Sequence, residues 1–341
     1  MKKKYFWSIV VVLAITGYIL YIDLKATPIK QLEVAAQGLN WTMLGLVVGL
    51  MISSYFCEAM ILKILAQRKD EPKRSFWSYF RVPIIQTLFN AITPMSTGGQ
   101  PAQLAALIQV GIEGGRATSL LLMKFIIYQI VVFAAYLSTI IFGFHLVVTK
   151  FATLSFFIVI GLTIHVVSTL FLLAIMFAYN STKKATNKLL DFLVRFIKTD
   201  KIEHLRQNMI TKIDTFYGES QKLKQEKSKL IKVILLTVLQ LLFFYSIPYG
   251  ILLALNIKAS WLAVTQMNIM IIMFMAIIPL PGASGGAEYS FQTLFSTFIL
   301  NSGGLVLGMF IWRFVTYFLG IMLGLVGWII KPAKKQNTRK G

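Results

Sequence analysis

Two charged residues stand deep in apolar sequence: Glu288, beside a proline- and glycine-rich break, and Arg313, about ten residues into the last apolar stretch. An isolated charge at mid-bilayer costs at least ~2.5 to 3.5 kcal/mol on insertion scales, so a carboxylate and a guanidinium at similar depth are expected to pair. Two uses of the pair stay open. It can lock one element to the next, or Arg313 can also meet a lipid phosphate with its planar fork while Glu288 shapes or exchanges with that contact. The break before Glu288 reads Pro281-Gly282-Ala283-Ser284-Gly285-Gly286, and a second one reads Pro94-Met95-Ser96-Thr97-Gly98-Gly99. Both fit P-x-x-[ST]-G-G. Unpaired backbone in hydrocarbon is tolerated only where protein buries it or a wet cavity meets it. A helix start after each glycine pair would aim free N–H groups at the break, a setting that suits a phosphate. Candidate substrate-binding residues are therefore Asn90, Thr97, Gly98, Gly99, Gln100 and Gln103 at the first break, and Ser284, Gly285, Gly286 and Glu288, with Arg313, at the second. The plainer alternatives are a tight kink that only packs helices and a six-position match that arises by chance or from shared turn chemistry.

A further set, Glu58, Arg81, Glu113 and Lys124, falls at overlapping depths nearer one face, as if lining an inner vestibule beside Gln100 and Gln103. Arg81 and Lys124 are candidate headgroup anchors there; Lys124 also reads as a lysine that snorkels to the interface. Enzyme chemistry finds little footing. There is no G-x-S-x-G, no H-E-x-x-H and no Gly-Lys-Ser/Thr after either break, so neither a hydrolase triad nor a P-loop is expected. The one cysteine, Cys57, and three scattered histidines, His145, His165 and His204, argue against an intrachain disulfide and a metal site. No catalytic residue, metal or cofactor is assigned, although a membrane-embedded transferase could use Glu58, Glu113 or Glu288 as a base.

The elements that must position these residues are membrane helices. Of the 341 residues, 57% are hydrophobic and 14% charged, and the mean hydropathy is +0.71, well beyond an ordinary soluble domain. Six stretches are long enough to cross ~30 Å of hydrocarbon: about 5–22, 41–65, 117–142, 151–178, 233–255 and 304–330. Segments 82–115 and 261–302 are apolar but broken. The 34 Lys and Arg against 13 Asp and Glu give a formal charge of +21, concentrated between spans, which points to anionic lipid rather than nucleic acid. Lys2 to Lys4, the group Arg68, Lys69, Lys73, Arg74 and Arg81, the basic segment 180–232 and the tail 331–341 mark the cytoplasmic side. Parity then makes 82–115 begin and end inside and 261–302 begin and end outside. The expected fold is an all-α integral membrane protein, one polytopic domain over 1–341. It has six full transmembrane helices and two broken or re-entrant segments in an inverted-repeat arrangement, with both termini cytoplasmic. Segment 180–232 carries thirteen Lys and Arg and six acids. Leu189, Phe192, Leu193, Phe196 and Ile197 form one face edged by Lys188, Arg195 and Lys198, followed by Ile202, Leu205, Met209, Ile213 and Phe216. It reads as an interfacial anchor on an anionic leaflet.

The stretch Asn90-Ala-Ile-Thr-Pro-Met-Ser-Thr-Gly-Gly-Gln-Pro-Ala-Gln103, the stretch Pro279-Leu-Pro-Gly-Ala-Ser-Gly-Gly-Ala-Glu288 and Arg313 resemble the transmembrane, flippase-like domain of lysylphosphatidylglycerol synthases. That domain is the membrane half of the multiple peptide resistance factor. The resemblance spans essentially the whole chain, although relatives often carry Gly-Glu and an Arg where this chain has Gly99-Gln100 and Gln103. It implies translocation of an anionic or aminoacylated phospholipid such as lysyl-phosphatidylglycerol across the plasma membrane, and a link to antimicrobial peptide resistance. The soluble synthase module of the two-part proteins has no counterpart of sufficient length in 180–232, so a stand-alone chain is expected. Three functions remain open: a lipid flippase; a phosphatidylglycerol lysyltransferase-type enzyme; and a non-catalytic membrane partner of a separate synthase or glycosyltransferase. A homo-oligomer is compatible with each.

Overall fold

The computed structural model describes residues 29–67, 74–142, 152–193 and 199–330. The expected first span at 5–22, the basic residues Lys2 to Lys4, Arg68, Lys69, Lys73, Arg195 and Lys198, and the tail 331–341 lie outside these residues. Every regular element described is helical. After a short helix α1 (Ile29–Gln37), the long helix α2 (Trp41–Ala66) starts on Asn40, whose side chain accepts hydrogen bonds from the backbone N–H of Thr42 and Met43. Next come α3 (Phe76–Ala91), a tight turn at Pro94–Ser96, α4 (Gly99–Gln109) and α5 (Gly114–Phe142). α6 (Ala152–Phe177) leads to two polar helices, α7 (Tyr179–Leu193) and α8 (Thr199–Gln225). The rest is α9 (Lys227–Tyr245) bent into α10 (Ile247–Ala254), α11 (Trp261–Met275), a turn at Pro281–Ala283, α12 (Gly286–Phe295) and α13 (Ser302–Arg313). α13 runs through a π-turn at Phe314–Phe318 into α14 (Leu319–Ile329).

Among the described residues, four helices or continuous pairs are long and apolar enough to cross a bilayer: Trp41–Ala66, Gly114–Phe142, Lys227–Ala254 and Ser302–Ile329. Turns at Pro94–Ser96 and Pro281–Ala283 separate α3 from α4 and α11 from α12. One apolar core is centred on α10 to α13, with Tyr55, Tyr136 and Tyr245 inside it; another gathers the later turns of α2 with α3, α4 and the start of α5. Leu46, Ile130, Leu137, Leu235, Phe314, Met322 and Val326 point outward from the spanning helices, as lipid-facing side chains do. α14 lies tightly on α3. A Cβ placed at Gly320 would meet Thr87 at 2.4 Å, and one at Gly324 would meet the Ile84 carbonyl at 2.6 Å. Small residues four apart let two helix backbones approach closely, and that approach, rather than apolar burial, drives association in lipid.

Segment 180–232, expected as an interfacial amphipathic anchor, falls largely within the helices α7 and α8. α8 packs along α5, and α7 folds back on α8. Lys183 and Arg206 form ion pairs with Asp214 and Asp191 at 2.7 and 2.6 Å, while Leu189, Phe192 and Leu205 stay exposed. The outward apolar face is thus present on a docked hairpin; Phe196 and Ile197 lie outside the described residues, as do the side chains of Leu193, Ile202 and Phe216.

Candidate functional site

At the second break, α11 stops before Pro281 and the chain makes a compact turn in which Gly282 and Ala283 take φ of 60° and 51°. Ser284, fully buried, donates its hydroxyl to the Pro281 carbonyl at 3.0 Å. Gly285 enters α12 with φ 87°. The Gly285 N–H donates to Glu288 Oε2 at 2.7 Å, the third residue of the helix reaching back as in one half of a capping box, so one donor at this helix start is engaged by its own carboxylate. Glu288 Oε1 accepts from Arg313 Nε at 2.6 Å, and Arg313 Nη1 donates to the Gly282 carbonyl at 3.0 Å. Arg313 therefore ties the turn to the helix that follows it. Its guanidinium carbon lies 5.6 and 5.3 Å from the ring centres of Trp312 and Tyr317, and both members of the pair are 2% exposed. Nη2 of Arg313, also buried, has no partner among the described residues. The π-turn begins directly after Arg313, a local widening that recurs at functional sites.

The first break has the same turn shape without the charges. Met95 and Ser96 take φ of 51° and 55°, matching Gly282 and Ala283, so the shared motif encodes a shared backbone. Two non-glycine residues held in that region store strain that the surroundings must enforce. Thr93 closes this helix start: its hydroxyl donates to the Phe89 carbonyl at 2.6 Å and accepts from the Gly98 N–H at 2.8 Å. Asn90 lies over Gly99 so closely that a Cβ there would sit 1.9 Å from its Oδ1. Thr97 and Gln100 are exposed. The two turns pack against each other, and Tyr317 donates its hydroxyl to the Ala91 carbonyl at 3.1 Å, joining the last helix to the end of α3.

The expected vestibule of Glu58, Arg81, Glu113 and Lys124 separates into three places. Lys124 does not snorkel. It is buried and donates to Glu58 Oε1, which also receives Gln103 Nε2 at 2.9 Å, while Glu58 Oε2 receives Gln240 Nε2 at 3.2 Å. Gln103 additionally donates to Gln86. Glu58 supplies the counter-charge without which a buried ammonium would be left uncompensated. Arg81, 1% exposed, donates from Nε to the Gly327 carbonyl at 2.8 Å and from Nη2 to Gln109 Oε1 at 3.0 Å. Its Nη1 is buried and unpartnered among the described residues. Glu113 is exposed. Gln86, Gln240 and Tyr317 were invisible to a reading built on charges; the available signal was an uncharged polar side chain within an apolar helix, and Tyr317 also stands four residues beyond Arg313. A cavity of about 410 Å³ lies apart from all of this, lined by Lys30, Gln31, Asn256 and Asn301 among others.

Among the described residues no cluster of three or more His, Cys, Asp or Glu could hold a metal ion. The chain is similar to a UPF0104 membrane protein of Archaeoglobus fulgidus, 28% identical over 291 residues that make up 84% of this chain and 86% of the relative. A family profile described as the lysylphosphatidylglycerol synthase TM region matches residues 6–324, a stretch that takes in both breaks, the Glu58 cluster and Arg313. With helices, breaks and buried charges all inside the matched stretch, the chain belongs to the lysylphosphatidylglycerol synthase TM region family.

Proposed function

We propose that this protein is a lipid flippase, carrying the phosphate-bearing headgroup of an anionic or aminoacylated phospholipid across the plasma membrane while the acyl tails stay in the bilayer. The observation that carries this reading is Arg313: a guanidinium 2% exposed, braced on Glu288 and Gly282 and backed by two aromatic rings, with Nη2 unpartnered. A brace that uses two of the nitrogens and spares the third fixes the direction of the spare donors, which is how arginine selects phosphate oxygens. Arg81, fixed in the same way with Nη1 spare, is the proposed anchor for the headgroup at the cytoplasmic face. Asn90, Gly98, Gly99 and Gln103, with Ser284, Gly285 and Gly286, shape the two turns between which the headgroup passes. Lys124, engaged by Glu58, is not part of that path. The overall arrangement is six spanning helices with the two broken segments as an inverted repeat and both termini in the cytoplasm. The twin turn conformations and their mutual packing support it.

The test is purified protein in liposomes with fluorescently labelled phosphatidylglycerol and its lysyl ester, read both by quenching of outer-leaflet label and by chromatography of the extracted lipid. Movement of intact lipid, reduced at least tenfold by Arg313→Lys, is the expected outcome. A new lipid product would identify an enzyme of headgroup modification. Neither movement nor product would leave a membrane partner of a separate synthase or glycosyltransferase.

A further inference from the structure

The two arginines assigned to the headgroup differ in one respect that decides what each selects. Arg313 is matched by Glu288, its Nε 2.6 Å from Oε1, so that site is neutral before any ligand arrives. Lys124 is matched in the same way by Glu58. Arg81 has no such match. Its Nε donates to the Gly327 carbonyl at 2.8 Å and its Nη2 to the Gln109 amide oxygen at 3.0 Å, both neutral acceptors, and Nη1 has no partner among the described residues. The residue is 1% exposed and lies five residues past the start of α3 at Phe76, about 7.5 Å along the axis.

The sequence explains why no counter-charge is at hand. Three helices meet at Arg81: α3, which carries it, the end of α4 at Gln109 and the end of α14 around Gly327. None of the three contains an Asp or a Glu. Glu113, four residues beyond Gln109, is exposed and forms no ion pair among the described residues. What the fold supplies instead is two helix C-termini, whose last carbonyls lack partners within their own helix and present the negative end of the helix dipole to a cation. Gly327 stands two residues before the end of α14 at Ile329, and a Cβ there would meet Ile84 at 2.8 Å, so α14 lies close enough to α3 for its carbonyl to be reached. Dipoles of this kind steady a guanidinium but carry no net charge. A unit positive charge is thus left at a junction lined by Val82, Ile85 and Leu107, where it is costly until an anion meets it.

We infer that the Arg81 site selects by charge: it takes a lipid headgroup of net negative charge, a phosphodiester without an ammonium, and disfavours the aminoacylated form, whose added cations would face an uncompensated guanidinium. Its part in transport rests on the flippase reading above; the charge selection itself does not. Arg313, already neutral with Glu288, recognises phosphate oxygens whatever else the headgroup carries, so discrimination falls to Arg81. Phosphatidylglycerol, with one net negative charge, fits best. Phosphatidylethanolamine, with none, fits less well, and lysyl-phosphatidylglycerol, with one net positive charge, fits worst. Gln109 is the specificity-determining residue. It is exposed while the guanidinium it holds is buried, so it links that guanidinium to the surface. Its amide leaves the charge of Arg81 intact, where a carboxylate on a side chain of the same length would cancel it.

The experiment measures binding apart from movement. Full-length protein in neutral detergent at low salt is titrated with fluorescent short-chain forms of these three lipids, and the same lipids are followed in liposomes. Phosphatidylglycerol is expected to bind about tenfold tighter than its lysyl ester, with phosphatidylethanolamine between them. Gln109→Glu supplies the missing counter-charge at an exposed position. It is expected to keep the melting temperature, to weaken phosphatidylglycerol about tenfold and to bring the three lipids close to parity. Gln109→Met, of similar length and without charge, is expected to weaken all three alike and keep their order. Glycerophosphoglycerol, the same phosphodiester without acyl tails, is expected to compete about tenfold less well than the lipid. Equal affinity for phosphatidylglycerol and its lysyl ester, or an order unchanged in Gln109→Glu or in folded Arg81→Gln, would mean that Arg81 only caps two helix ends, and overturns the charge selection whether or not lipid moves. Competition by glycerophosphoglycerol as strong as that by the lipid overturns a lipid ligand. Charge-ordered binding with no lipid movement in liposomes keeps the selective site and overturns the flippase reading.

Discussion

A single guanidinium holds the second break together, so residue-scale tests begin with it. If Arg313 and Glu288 are only a lock, truncating either leaves a buried charge and costs ~3 to 5 kcal/mol, and replacing both with apolar residues of matching volume restores stability and transport together. The flippase reading expects the double variant to fold and to move no lipid, and Arg313→Lys to be impaired because an ammonium lacks the fork. Melting temperature in detergent beside translocation in liposomes separates the two, and a stable double variant that still moves lipid removes the pair from the transport site. Gly282 gives a second test. Its φ of 60° suits glycine, and a Cβ there would sit 2.3 Å from the Tyr317 ring. Gly282→Ala is expected to displace Tyr317 from the Ala91 carbonyl and to cost about 1 to 3 kcal/mol, whereas Tyr317→Phe, which loses only the hydrogen bond, costs about 1 kcal/mol. Equal losses for both would mean that the ring position is unimportant. The Glu288–Arg313 contact was legible in the sequence because two lone charges at one depth have few alternatives. The partner of Lys124 was not, since register between α2 and α5 depends on packing and Glu58 looked equally available to Arg81.

Helix by helix, the breaks could be read from proline and glycine, and the long spans from length and hydropathy. The docking of α8 on α5 could not, because an amphipathic face does not say whether lipid or protein covers it. The glycine run of α14 was equally silent until its neighbour was known. Gly324→Ala is expected to push α14 from α3 and cost about 1 to 3 kcal/mol, with a parallel loss at Gly320 and none at Gly45, where a Cβ meets nothing within 4 Å. Thermal unfolding of the three variants checks it. Between α7 and α8, hydrogen bonding from Lys183 first and Tyr179 second holds the Asp214 carboxyl below the ordinary aspartate range, and Asp214 first and Tyr179 second raise the Lys183 amine. A lowered acid adds stability above its unfolded value and loses it as pH falls through the folded one. A raised amine adds stability below its unfolded value and loses it as pH rises through the folded one. The hairpin contact is expected to persist from the acid side of the aspartate range to the alkaline side of the lysine range. Hydrogen exchange of α7 should show Asp214→Asn loosening it at neutral pH and leaving it unchanged where wild-type Asp214 is already protonated.

At the scale of the whole molecule, the inverted arrangement has a direct test. In a background where buried Cys57 is replaced by alanine, a cysteine at Gln109 should react with an impermeant reagent from the cytoplasm and one at Asn301 from outside. Labelling from one side alone ends the inverted reading and leaves the span count largely intact. The short helices at the breaks also bear on how the chain reaches its final state. α4 and α12 have 11 and 10 residues, about 16 and 15 Å of helix against ~30 Å of hydrocarbon. Neither half-helix is long enough to be committed to the membrane on its own during synthesis. The partner that fastens α12 is Arg313, 25 residues after Glu288, and the last helix also supplies the Tyr317 contact to Ala91 near the first break. The first hairpin can therefore close on α2 through Gln103 and Glu58 as soon as both have been made, whereas the second stays unfastened at the ribosome until the helix that carries Arg313 has emerged.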